Sequence, residues 1–348
     1  MKAWVLHGVD DIHLEEIEKP KPGPNEVLLE VKAAGICGSD IPRIYKTGTY
    51  SFPTIPGHEF SGVVFDVGAE ADVSWKGLRM GVFPLIPCGK CIPCQKKQYE
   101  MCRSYGYLGS RRDGGFAGYV SVPSENLIHL PDNVSFEAAA MLEPMAVAVH
   151  AMRRVNPVET DTVIVCGLGT IGLLLLMFLK EAGIDHVIVI GNKESQKRKV
   201  LEMGFMEEDY CDSRSQDAGT WLKERTGGAG ADVFFECVGK NETFSWAIDY
   251  TAPGGKVMLV GNPYSDMHLE KAVYWKILRN QLLVTGTWNS SFTHDAGDDW
   301  HYVLNKISQG RVRPEKLISH RFSLEALEQG FHIMRDKTED YMKVMAVE

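Results

Sequence analysis

The stretch VIVCGLGTIG, from Val163 to Gly172, constrains this chain more than any other. An apolar run passes directly into Gly-x-Gly-x-x-Gly, and an apolar, helix-like segment from Leu173 to Ala182 follows. The glycines alone would suit a turn in any α/β protein; strand, glycine turn and helix in that order open a dinucleotide-binding βαβ unit. In such a unit Gly167 makes the tight bend, Gly169 lets the backbone approach a pyrophosphate, and Gly172 lets the helix pack closely on the strand. Thr170 and Ile171 then sit at the helix N-terminus, where free N–H groups receive phosphate.

Two textures surround this unit. From Val27 to Val122, short apolar segments (Val27 to Val31, Gly62 to Val67, Phe116 to Val122) alternate with Gly/Pro-rich turns, a β-rich and loop-rich pattern. Phe136 to Val155 reads as helix. Strands and helices then alternate, with strands at Val163 to Cys166, Val187 to Ile190, near Asp209, Val233 to Cys237, Val257 to Val260 and Leu282 to Gly286. That alternation predicts an α/β fold with a doubly wound parallel sheet. Helices are expected near Asp298 to Gln309 and Leu324 to Arg335, and a last strand at Val344 to Val347 is expected to return to the first domain. At 348 residues the chain exceeds what one core usually supports. The expected division is a catalytic domain at 1–150 and 288–348 and a dinucleotide-binding domain at 151–287.

Charge narrows the partners. With 37 basic against 46 acidic residues, the net of -9 argues against nucleic acid or a membrane surface. The N-terminus MKAWVLHGVDDIHLEE meets acidic residues too early for a secretory signal. The longest apolar run, Leu173 to Leu179, falls far short of the roughly 20 residues that span a bilayer. A cytoplasmic protein acting on a small molecule is the expectation.

Four of the eight cysteines, Cys88, Cys91, Cys94 and Cys102, crowd into one segment while the others are scattered. Their spacing is that of a closed four-thiolate zinc site, which leaves no open position and is therefore structural. A second constellation is dispersed: Cys37 in GICGSD, His58 and Glu59 in PGHEF, and Glu143 in LEPMAV. A catalytic zinc wants three protein ligands and one free position. Singly, each residue also reads as a buried thiol, a core histidine or a solvated carboxylate; their order relative to the cysteine lobe and the glycine turn decides.

That order, GICGSD, PGHEFSG, the four-cysteine lobe, GGFAGYV, LEP and GLGTIG, resembles the zinc-dependent medium-chain dehydrogenase family essentially end to end. LEPMAV is similar to the polyol branch, and PRIYKTG, GSRRDGGFA and KILRNQLLVTGTWN resemble dehydrogenases of polyol phosphates within it. The resemblance implies a GroES-like β-rich catalytic domain joined to a Rossmann domain, with one catalytic and one structural zinc. It implies that Cys37 and His58 bind the catalytic zinc, with Glu59 a third ligand and Glu143 a direct ligand or a partner through water. Ser39 is implied as the relay for the substrate's hydroxyl proton. The implied reaction is hydride transfer between a secondary hydroxyl of a polyol or polyol phosphate and a nicotinamide nucleotide, giving a ketose or ketose phosphate. The alternatives are a free-polyol or short-chain secondary alcohol dehydrogenase and, from another class, a quinone reductase-like protein or a zinc-stabilised NADP-binding sensor. Those last relatives generally lack the catalytic ligands, so Cys37, His58 and Glu143 together speak against them. A homodimer or homotetramer joined along the Leu282 to Thr287 edge is also implied.

An NAD enzyme normally places Asp or Glu about twenty residues beyond the first glycine. This chain has Gly191 there, followed by Asn192 and Lys193, with Lys197 and Arg198 beyond. Room, an amide and cations favour a 2′-phosphate, so NADP is expected over NAD. The cations available to a phosphorylated polyol are Arg43, Lys46, Arg111 and Arg112, although Arg111 and Arg112 beside Asp113 equally suit a surface turn. Tyr45 and Phe52 are expected to line the substrate cleft, and Trp288 lies where the cofactor domain rejoins the first.

Overall fold

The computed structural model describes residues 1–348. It divides into two compact units, Met1–Pro144 with Ser290–Glu348, and Met145–Asn289.

Unit Met145–Asn289 is built on a six-stranded, all-parallel sheet. Its strand order is Tyr210–Asp212, Val187–Gly191, Val163–Cys166, Ala231–Glu236, Thr251–Leu259, Leu283–Gly286. Val163–Cys166 is buried along its whole length, which is why its sequence is a continuous apolar run rather than an alternation. It pairs with Val187–Gly191 on one side and Ala231–Glu236 on the other, so the strand order reverses at the end that feeds Gly167. Such a switch point is where open α/β sheets bind ligands. Helix Thr170–Glu181 buries Leu173 to Leu176, Phe178 and Leu179, and Gly183, at a φ of 82°, follows its last turn.

Unit Met1–Pro144 with Ser290–Glu348 is β-rich. A seven-stranded sheet runs in the order Ile318–Phe322, Lys343–Val347, Glu26–Ile36, Glu59–Val67, Arg79–Val82, Leu127–His129, with Tyr119–Pro123 also paired to Glu26–Ile36. The C-terminal strand thus returns to the first unit, Val344 opposite Ile36. Helix Leu327–Asp336 sets Phe331 edge-on to Trp4 at 5.6 Å and against Phe116 at 5.5 Å. Phe331 is fully buried, a burial that contributes about 1.5–3 kcal/mol.

The hairpin Lys2–Gly8 with Asp11–Glu16 lies outside the strands expected from sequence. Its first strand buries Ala3 to Leu6 consecutively, so alternation gives no signal there. The helix expected over Phe136 to Val155 is two helices, Phe136–Ala140 and Leu142–Val155. Pro144 is the reason: it cannot donate to Ala140 and is tolerated only in a helix's first turn. The restart places Glu143 in that first turn.

Candidate active site

Strand Glu26–Ile36 delivers Cys37, and the GSD turn after it delivers Asp40, which is fully buried. Asp40 Oδ2 accepts the Cys37 N–H at 2.9 Å, and its Oδ1 lies 3.2 Å from His58 Nδ1. His58 and Glu59 enter together at the start of strand Glu59–Val67. Gly57 before them has a φ of 95°, and a Cβ there would run into the Phe116 ring. The sulfur of Cys37, a ring nitrogen of His58 and a carboxylate oxygen of Glu59 all lie within 4.8 Å of one another. Ligands of one tetrahedral zinc stand about 3.3–3.8 Å apart, so small adjustments bring these three atoms onto a single ion.

Glu59 is ion-paired with Lys343 Nζ, and both side chains are buried. Lys343 also donates to the Ile36 carbonyl at 3.0 Å. Gly35 faces Glu59 across the sheet, and a Cβ at that position would stand 2.7 Å from Lys343 Cε. Glu143 is outside the 4.8 Å set. The Tyr107 hydroxyl donates to its Oε1 at 3.2 Å, and the Tyr107 ring lies 5.6 Å from that of His58. Burial, reinforced by the Glu59 charge and opposed by His58, pushes the Glu143 carboxyl up to about 7. Burial disfavours a charged His58, but the Asp40 and Cys37 charges outweigh it and hold His58 well above its ordinary value. Ser39 Oγ donates to Cys37 Sγ at 3.3 Å and accepts from Arg43 Nη1 at 3.0 Å.

The second cluster is made of sulfur alone. Cys91 lies 3.4 Å from Cys94 and 3.9 Å from Cys102, Cys88 lies 3.9 Å from Cys94, and none is in a disulfide. The edges of a tetrahedral zinc–thiolate site are about 3.8 Å, the spacing of these sulfurs. Backbone N–H groups of Arg103 and Cys94 pull the Cys91 thiol down to about 6, toward the ligating thiolate form.

The comparisons agree with this chemistry. A family model described as the alcohol dehydrogenase GroES-like domain matches residues 23–132, and one described as zinc-binding dehydrogenase matches residues 170–309. Galactitol 1-phosphate 5-dehydrogenase of Escherichia coli K12 is 33% identical over 306 residues, 88% of each chain. This chain belongs to the zinc-dependent medium-chain dehydrogenases, in their polyol branch. The crystal structure of galactitol-1-phosphate dehydrogenase from Escherichia coli superposes with a TM-score of 0.92 at 31% identity, covering all of both chains. A zinc-binding dehydrogenase from Sinorhizobium meliloti 1021, bound to NADP, superposes with a TM-score of 0.90 at 27% identity, covering 100% of this chain and 99% of that one.

In this dehydrogenase the glycine turn has the form a pyrophosphate needs. Gly167 has a φ of 99°, a Cβ on Gly172 would strike the Gly167 carbonyl, and a Cβ on Gly169 would meet nothing within 4 Å. Thr170 and Ile171 open the following helix. Gly191 ends its strand beside Tyr210: a Cβ there would run into the Tyr210 hydroxyl and stand 2.9 Å from Leu168 Cδ1, so a larger side chain at this position requires both neighbours to shift. Asn192 N–H donates to Gln196, Lys193 precedes helix Glu194–Glu202, Lys197 pairs with Glu207 at 2.6 Å, and Arg198 is exposed.

The other sequence candidates are dispersed. Arg43 reaches Ser39 and, at 3.5 Å, Asp40. Arg112 is bound to Glu26 at 2.7 Å, and Arg111 packs against the rings of Tyr50 and Tyr105, its Cζ 3.8 and 4.7 Å from their centroids. The Tyr45 ring carries Arg335 over it at 4.7 Å, while Lys46, Phe52 and Trp288 are exposed. Sequence reading gave no role to Asp40, Tyr107 or Lys343. Asp40 was within reach of it, three residues from Cys37, as a carboxylate able to orient a histidine. Lys343 and Tyr107 carry no local signal.

Proposed function

We propose that this dehydrogenase transfers a hydride between a secondary hydroxyl of a polyol or polyol phosphate and NAD(P), yielding a ketose or ketose phosphate. The observation that carries the proposal is the set of half-buried Cys37 with buried His58 and Glu59, with buried Glu143 beside it. Cys37 and His58 would hold a catalytic zinc with Glu59 or Glu143, and Cys88, Cys91, Cys94 and Cys102 a structural one. The catalytic zinc supplies a Lewis acid for the substrate oxygen and carries no electrons itself. Asp40 orients His58, Tyr107 orients Glu143, and Arg43 fixes the oxygen of Ser39, the residue proposed to pass the hydroxyl proton outward. Nicotinamide absorbance assays against galactitol 1-phosphate, sorbitol 6-phosphate, galactitol, sorbitol and 2-butanol test the reading. A folded His58→Ala variant with unchanged turnover would overturn it.

NADP is the proposed cofactor. Support comes from the glycine at 191 and the cations after it, since the position that binds a ribose diol in NAD enzymes has no acid here. Equal kcat/KM with NAD and NADP would reject the preference. The proposed assembly is a homodimer or homotetramer joined along the edge strand Leu283–Gly286. That strand and the helix Lys271–Arg279 expose Tyr274, Trp275, Leu278 and Leu283, each 53% accessible. A monomer in light scattering at micromolar concentration would reject it. Four free thiols in one lobe suit a cytoplasmic setting, where cysteines stay reduced.

A further inference from the structure

We propose that Arg111 binds the phosphate of a phosphorylated polyol, and that Tyr50 and Tyr105 hold its guanidinium for that purpose. The inference rests on the polyol-phosphate reading above and names the residue that would make it true.

The other two candidate arginines are committed. Arg112 donates to Glu26, and Arg43 to Ser39. Arg111 makes no ion pair, and its Nε is buried without a hydrogen-bond partner. Its guanidinium instead packs against two rings, Cζ 3.8 Å from the Tyr50 centroid and 4.7 Å from that of Tyr105. Contact with two rings restrains the guanidinium without using its N–H groups, which can serve a phosphate in bidentate fashion. A buried donor with no acceptor in the protein alone is a rare arrangement, and an arriving oxyanion would satisfy it.

The position suits a substrate whose reacting carbon is at the metal-ligand residues. A ladder of rings leads outward from His58, with 5.6 Å to Tyr107, 6.1 Å from Tyr107 to Tyr105, and then Arg111 and the exposed Tyr50. The backbone ties these rungs together. Arg111 N–H donates to the Tyr107 carbonyl at 2.9 Å, Tyr50 N–H to the Ser110 carbonyl at 3.4 Å, and Ile55 N–H to Asp113 at 3.0 Å. A phosphate carried several carbons from the reacting hydroxyl would meet a preorganised cation on this ladder.

The test is the ratio of kcat/KM for galactitol 1-phosphate to that for galactitol, measured on the zinc-loaded enzyme and on variants. Arg111→Met is expected to lower the ratio roughly 10- to 100-fold, chiefly through KM, because a charge-assisted contact is lost. Inorganic phosphate, competing against galactitol 1-phosphate, is expected to inhibit the variant correspondingly less well. A general structural lesion would lower both columns together. Tyr50→Leu, at a residue 70% exposed, removes one of the two ring contacts of Arg111 without touching the core and is expected to lower the ratio several-fold. Arg112→Met is expected to keep the wild-type ratio. Wild-type ratios in Arg111→Met or, should that variant not fold, in Tyr50→Leu would overturn the assignment of Arg111. A wild-type enzyme that prefers galactitol itself would overturn the phosphate reading on which it rests.

Discussion

Asp40 Oδ1 lies 3.2 Å from His58 Nδ1, and both side chains are buried. With Nδ1 facing the carboxylate, the other ring nitrogen of His58 would be the one to share a metal with Cys37 and Glu59. Carboxylates in this position orient the imidazole and raise its basicity. Asp40→Asn keeps the shape and removes the charge. It is expected to cost about 10- to 100-fold in zinc affinity or turnover. A chelator competition titration alongside kcat reads this out, and values within twofold of wild type would deny Asp40 the role.

The pair of Lys343 and Glu59 is buried at 1% exposure on each side chain. Removing one member of such a pair strands the other charge in a medium that cannot solvate it, at about 3–5 kcal/mol. Lys343→Met is therefore expected to shift the urea midpoint down strongly, while Lys343→Met with Glu59→Gln recovers much of the loss. Urea titrations of the two variants check it; equal losses in both would mean that the charge of Glu59 is not what Lys343 compensates.

The four-sulfur lobe predicts a metal count. Zinc analysis of the purified protein is expected to give about two ions per chain, falling to about one in Cys91→Ser. Because binding free energy at a structural site is folding free energy, the Cys91→Ser variant is also expected to melt at a lower temperature. Retention of both ions would place the structural site elsewhere.

Much of the fold and site was legible in the sequence because it was written locally. Val163–Cys166 has the expected limits, since a strand buried on both faces must be apolar throughout and the glycine after it fixes where it ends. The four cysteines lie within one short segment, so spacing alone brings them together. Lys343 was not legible: its partner Glu59 lies far away in the chain, and only the return of strand Lys343–Val347 onto Glu26–Ile36 brings the two together. The same limit applies to Arg111 and Arg112. Neighbours in sequence, they separate because one meets Glu26 and the other two tyrosine rings, contacts made by segments remote from both.

Glu26 gives the acid limb of stability a specific origin. Its carboxylate accepts from Ser121 Oγ at 2.6 Å, Arg112 Nη2 at 2.7 Å and Gly23 N–H at 3.2 Å. Burial opposes its ionisation, but these donors outweigh burial and hold its carboxyl below the ordinary glutamate range. A carboxyl depressed in the folded state contributes stability above its unfolded value, about 4.3, and loses that contribution as pH falls through the folded value. Glu26→Gln is thus expected to melt below wild type at pH 7. The two melting temperatures are expected to converge as pH falls from about 5 toward 3. Melting curves across that range check it, and a gap that stays constant with pH would show that Glu26 acts through packing rather than charge.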